Sequence, residues 1–257
     1  MKRLLLAIAA FTLSGSAVAA GGHALPYSYT PDTTNPASLQ RGVRDFMAYC
    51  SGCHSMKYLR YNRIGQDLGI SEELLKANLM FTSDKLGDQV ISAMPADQSK
   101  AWFGQTPPDL TLETRARGAD WVYSYLRTFH VDTKRPMGVN NLVLPGASMP
   151  HVLWSLQGWQ VKEEPAHEGQ AQAQGGHSAG PPLKLVQQGS MTEDEYARFV
   201  GDLVNFMAYA AEPGKSARVS LGGKAILYLI VLLVLTYLLK KEFWKDIHDA
   251  PAKHKLP

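Results

Sequence analysis

Apolar residues fall along the chain in four patterns, and each predicts a different element. The first is a run from Leu4 to Leu13, placed behind Lys2 and Arg3 and ahead of Ala17-Val18-Ala19. A basic start, a short apolar run and small residues make the layout of a removable export signal, and the run is too short to span a bilayer, so residues 1–20 are read as a signal peptide. The second pattern recurs at three- and four-residue steps through Leu39, Val43, Phe46, Met47 and Cys50, which predicts an amphipathic helix with Ser38 as its cap. The third places Tyr196, Phe199, Val200, Leu203, Phe206, Met207 and Ala210 on one face. It starts at Thr192 with Glu195 three residues on, a capping box, and Pro213-Gly214 stops it.

The fourth pattern is continuous. Val219 to Leu239 is apolar apart from Gly222, Gly223, Lys224 and Thr236, and the stretch Ala225–Leu239 holds no charge. A helix of a soluble core keeps a polar face and this one has none, while its length suits a bilayer, so residues 217–240 are read as a single transmembrane helix. Between 162 and 182 the patterns lapse into Glu163, Glu164, Gln170-Ala-Gln-Ala-Gln174, Gly-rich steps and Pro181-Pro182, which predicts a flexible polar insertion.

These segments divide the chain into a signal peptide, an exported domain over 21–216, the membrane helix and a tail over 241–257. Lys240, Lys241, Lys245, Lys253 and Lys255 favour a cytoplasmic tail. Lys215, Arg218 and Lys224 on the other flank dilute that signal, and the export signal decides the orientation. The expectation is a single-pass protein of a bacterial inner membrane with its domain in the periplasm and its C-terminus in the cytoplasm.

Composition narrows the field further. With 257 residues, 45% hydrophobic and 19% charged, the chain has material for one compact domain and is neither disordered nor multi-spanning. A net charge of +3, spread along the chain, gives no footprint for nucleic acid.

The chemistry sits in the only two cysteines, Cys50-Ser51-Gly52-Cys53-His54. An exported domain would ordinarily pair its cysteines, but C-x-x-C-H is the attachment pattern of c-type haem. Two thiols one helical turn apart can each bond a haem vinyl group, and the adjacent histidine then falls beneath the iron. A thioredoxin-like site would need a βαβ setting and a zinc site further closely spaced Cys or His, and neither is present. The sixth ligand is open on residues alone. Met56 is too near His54, Met47 lies in the preceding helix, and Met94-Pro95 and Met149-Pro150 remain. Spacing favours Met94, and the rigid turn Leu144-Pro-Gly-Ala-Ser-Met-Pro150 favours Met149. His130 and His151 are further candidates.

Five segments, in order, carry a resemblance: Cys50-Ser-Gly-Cys-His-Ser-Met-Lys-Tyr58, Pro107-Pro-Asp-Leu110, Arg115-Ala-Arg117, Pro145-Gly-Ala-Ser-Met149 and Ala210-Ala-Glu-Pro213, the last running directly into the span. Together they resemble the cytochrome c1 family, the haem subunits of ubiquinol–cytochrome c oxidoreductase, over nearly the whole mature chain. The resemblance implies an all-α, class I cytochrome c-like haem domain with one C-terminal transmembrane helix and one covalently attached haem c. It implies iron held by His54 and Met149, with Pro107, Pro108 and Leu110 lining the haem crevice and Arg115 near a propionate. It also implies cytochrome b, the Rieske iron–sulfur protein and a soluble cytochrome c as partners in a dimeric complex. The alternative is an independent membrane-tethered electron carrier, which needs only the same domain and anchor.

Overall fold

The computed structural model describes residues 25–163 and 182–249. The expected signal peptide, most of the 162–182 insertion and the end of the tail lie outside them. In chain order the elements are α1 (Pro36–Tyr49), β1 (Met56–Arg60), α2 (Tyr61–Leu68), α3 (Glu72–Asn78), β2 (Gln89–Val90), α4 (Ala96–Phe103), α5 (Glu113–Ala116) and α6 (Ala119–Arg127). There follow β3 (Phe129–Val131), β4 (Val139–Asn141), α7 (Trp154–Gln157), β5 (Gly158–Lys162), β6 (Leu183–Gln188), α8 (Glu193–Ala211) and α9 (Lys215–Asp249).

The two periodic helices form the frame. Helix α1 starts one turn before the expected cap, because Asn35 accepts from the Ser38 amide at 3.2 Å and Pro36 stands where its missing N–H costs nothing. Ser38 is therefore inside the helix, and its hydroxyl donates to Asp202 of α8 at 2.5 Å. Helix α8 opens with the capping box read from Thr192 and Glu195.

The apolar stripes of the two helices meet. Val43, Phe46, Val200, Leu203 and Phe206 are fully buried, each stabilising the fold by roughly 1.5–3 kcal/mol over leaving it in water. The backbones come close because Gly42 has no side chain, and a Cβ there would stand 2.2 Å from the Asp202 carbonyl oxygen and 2.7 Å from Phe206 Cβ. At the polar edge of the crossing Asn205 donates to Ser38 and accepts from the Tyr29 hydroxyl and the Asp32 amide, so the segment before α1 is strapped across α8.

The domain is mostly helical, as expected, with Met56, Leu59 and Val90 of the strands adding to a core otherwise drawn largely from helices. The described residues add three two-stranded antiparallel pairs, β1–β2, β3–β4 and β5–β6. These strands are too short and too polar to leave a two-residue alternation in the sequence. The last pair flanks the expected insertion. Lys162 pairs with Leu183 and the Glu163 amide donates to the Pro182 carbonyl, so the two flanks are tied together.

Residues 212–214 separate α8 from α9. Over Lys215–Lys245 the helix has a mean hydropathy of 2.2 in its most apolar window, and none of that window is buried. Leu229 and Leu233, at 57% and 67% exposed, are typical of the stretch. A helix apolar on every side and bare on every side has lipid or other membrane helices as its natural surroundings, and it anchors the domain.

Candidate haem site

Helix α1 runs into the cysteine motif. Past Tyr49, the Cys50 and Ser51 amides both donate to the Phe46 carbonyl, and the Cys53 and His54 amides fold back on the Cys50 carbonyl at 3.0 and 2.9 Å. The result is a tight turn with Cys50 buried, Cys53 half-buried and no disulfide between them. Two neighbouring segments fix this turn. Ser92 donates its amide to the Ser55 hydroxyl and its own hydroxyl to the Gly52 carbonyl. Pro107–Leu110 lies alongside, with the Leu110 amide on the Ser55 carbonyl and the Lys57 amide on the Asp109 carboxylate.

The same alignment sets the histidine. His54 Nδ1 lies 2.8 Å from the Pro108 carbonyl oxygen, so it carries the proton and Nε2 is left with a free lone pair. Burial lowers the pKa of His54, with the Pro108 contact opposing in part, and the ring is neutral and ready to ligate. Burial also pushes the Cys50 thiol up to about 12, so in the closed fold it is a neutral, apolar wall group.

These residues open onto a cavity of about 460 Å³. Cys50, Cys53 and His54 line it on one side, Phe103, Thr106, Pro107, Pro108 and Leu110 along an edge, and Trp121, Val122, Tyr125 and Leu126 of α6 form a wall. Leu144, Ser148, Met149, Pro150 and Val152 come from the loop after β4, and Leu203 and Met207 from α8. The lining is mainly apolar, with Arg117 and Glu113 ion-paired at 2.8 Å within it and Arg117 also lying over the Trp121 ring. Burial pushes the Tyr125 phenol up to about 12, against the pull of Arg117, so this wall carries no negative charge at neutral pH.

Seven of the eight residues expected at the site line this one cavity: Cys50, Cys53, His54, Pro107, Pro108, Leu110 and Met149. Arg115 does not. Its exposed guanidinium lies 3.8 Å from Glu212, and the arginine that reaches the cavity is Arg117. Two residues along a helix turn the side chain about 200° around the axis, so both could not face the same way. Of the other ligand candidates, Met94, His130 and His151 are absent from the lining. His151 instead stacks on Phe129 at 5.1 Å and is buried. Met207 does reach the cavity, although its spacing in the sequence marks it only as a core position. Trp121, Tyr125 and Arg117 were also missed, although the four-residue step from Trp121 to Tyr125 marks one face of α6.

A flat, apolar, iron-bearing macrocycle fits this donor set: two unbridged thiols, an oriented neutral imidazole and a thioether sulfur around an apolar space. When bound, it supplies a one-electron couple at iron.

The profile described as "Cytochrome C1 family" matches residues 27–247. The chain belongs to the cytochrome c1 family. Members carry one covalently bound haem c, and Cys50 and Cys53 occupy the attachment motif. A relative named cytochrome c1 from Allochromatium vinosum is 46% identical over 96% of this chain and 100% of its own length. The cytochrome c1 of Rhodospirillum rubrum is 31% identical over 81% of each. A protein named ammonia monooxygenase gamma subunit, from Nitrosomonas europaea, is 46% identical over 84% of this chain and 86% of its own.

Proposed function

We propose that this chain takes electrons from a Rieske iron–sulfur protein and passes them to a soluble cytochrome c, within a cytochrome bc1 complex that also holds cytochrome b. Membership of the family makes it the electron-transfer subunit of that complex; the direction of flow and the named partners are our reading. The observation that carries the site assignment is the convergence of Cys50, Cys53, His54 and Met149 on one largely apolar cavity. In this reading the two cysteines would hold the haem by thioether bonds, and His54 and Met149 would supply the ligands to its iron.

Each residue has a definable task. The Pro108 carbonyl keeps the His54 proton on Nδ1, so in the neutral ring Nε2 is the nitrogen left free to ligate. A thioether at the other position favours the reduced state and raises the potential, and the apolar wall of Trp121, Val122 and Leu126 works in the same direction by excluding water. Arg117, which lines the cavity, would be the cation for a propionate, while Arg115, expected in that role, lies outside the lining with Glu212 3.8 Å away. With His54 and Met149 both ligating, the bound group would take up electrons without binding oxygen, which suits a carrier. We further propose that residues 1–20 direct export, that the domain lies in the periplasm, and that α9 crosses the inner membrane with its end in the cytoplasm.

Purification of the tagged chain from membranes in mild detergent, followed by a reduced-minus-oxidised spectrum and addition of a quinol, tests the assignment. Co-purifying b-type haem and reduction of the c-type haem by quinol are expected. A c-type haem alone, inert to quinol, would make the chain an independent tethered carrier. The relative named for ammonia monooxygenase favours a second reading, service in an ammonia-oxidising assembly; co-purification without b-type haem, in a preparation that oxidises ammonia, would support that one.

A further inference from the structure

The loop that brings Met149 to the cavity has no regular structure, yet its first turn is held at every backbone donor. From Val143 to Gly146 every amide N–H donates to an asparagine side chain. Asn141 Oδ1 accepts from Val143 at 2.9 Å and Leu144 at 3.2 Å, Asn140 Oδ1 accepts from Gly146 at 2.8 Å, and Pro145 has no N–H. The Gly146 carbonyl accepts from the Arg135 guanidinium at 2.7 Å.

Asn141 does more than cap this turn. It is 1% exposed, and its Nδ2 donates to the Tyr125 carbonyl at 2.7 Å. Tyr125 and Leu144 both line the cavity. One planar amide therefore ties the α6 wall to the start of the ligand loop, donating to one and accepting from the other. The α6 end it grips is itself immobilised. The last four carbonyls of that helix, normally left without intrahelical partners, accept from the side chains of Thr128, Asn141, Tyr196, Gln157 and Gln160. Few other side chains can replace Asn141: aspartate lacks the donor, serine lacks the reach, and an apolar residue would take away the acceptor of two loop amides and the side-chain donor to the Tyr125 carbonyl.

We propose that Asn141 is the positioning residue for the axial methionine, fixing the loop so that the Met149 thioether stays on the iron and the potential stays high. This rests on Met149 being the distal ligand. It adds that the strength of ligation is governed by a side chain that never touches the haem.

The test uses the purified, haem-loaded complex in detergent and compares Asn141→Ala, Asn205→Ala and Met149→Leu with the unaltered chain. Four readouts are taken: the long-wavelength ferric band of thioether-ligated haem, carbon monoxide binding by the ferrous form, the midpoint potential and the thermal midpoint. For Asn141→Ala the expectation is a weakened band, a lowered potential and an approximately tenfold rise in the carbon monoxide-binding fraction, the size set by losing one to two net hydrogen bonds. Asn205 is also buried and bonded through both amide atoms, at the α1–α8 crossing, so its variant should lose thermal stability with ligation unchanged. An unaltered band, carbon monoxide binding and potential in folded Asn141→Ala would overturn the proposal, as would equal changes in Asn205→Ala. Met149→Leu separates the two levels: survival of the thioether band in that variant would sink the ligand assignment itself. If Asn141→Ala fails to accumulate, Asn140→Ala removes the Gly146 contact of the loop, together with bonds to the Asn141 amide and Asp132, at a less buried position. It should give the same signs at smaller size, and wild-type ligation there would equally overturn the proposal.

Discussion

The two sides of the haem cavity are built in different ways. On the His54 side, α1 packs along α8 through a continuous apolar stripe, with Phe46 and Phe206 ring centroids 5.8 Å apart and Gly42 allowing backbone contact. On the Met149 side, the loop from Val143 onward is held by side-chain amides and a guanidinium acting on backbone groups. The first construction draws its strength from burial and is insensitive to the identity of any one polar atom. The second depends on a few directional bonds, each with a net value of about 1 kcal/mol. Stability is therefore concentrated on the side of covalent attachment, and adjustability on the side of the exchangeable ligand.

Three substitutions sharpen that contrast. The largest effect is expected from Gly42→Ala, where the added carbon meets a backbone oxygen that cannot rotate away; a loss of about 3 kcal/mol is expected in denaturant unfolding of the haem-loaded protein. A loss below the uncertainty of the measurement would mean that the two helices slide apart freely. Next comes Thr192→Ala, which removes the capping box at the far end of α8 and should cost about 1 kcal/mol without altering the haem spectrum. A spectral change there would show that the apolar frame and the ligand loop are coupled.

The smallest effect concerns Asp45, a carboxylate of α1 that is 4% exposed and paired with Arg44 at 2.7 Å. Burial raises its pKa, with Arg44 opposing in part. The folded form thus holds the proton more tightly than the unfolded chain, and stability falls as pH rises through the range from the unfolded to the raised folded pKa. The Asp45→Asn variant, which is neutral at every pH, should be slightly more stable than the parent at neutral pH. The gap should close as the solution is acidified below the unfolded carboxylate range, and an advantage that grew on acidification would contradict this.

The same contrast explains what the sequence disclosed. The frame was legible because burial repeats: the steps through Leu39, Val43 and Phe46 and through Phe199, Leu203 and Phe206 are visible without a partner. The capping box at Thr192 is local chemistry and was equally plain. The expected start of α1 is off by a turn because Ser38 and Asn35 are both capping residues, and Pro36 is the signal that decides between them. The loop side was opaque. Asn141 bonds to Tyr125, sixteen positions earlier, and no period or motif marks that pairing. The resemblance points to Arg115 rather than Arg117, and only the rotation of a short helix separates them.

The short connection between α8 and α9 bears on how the protein can work. Residues 212–214 reach about 10 Å at full stretch, and Glu212 is held by Arg218 from within the first turn of α9. A domain on so short a connection is held next to the head of its anchoring helix, so its distance from that helix is set by its own size and not by a flexible linker.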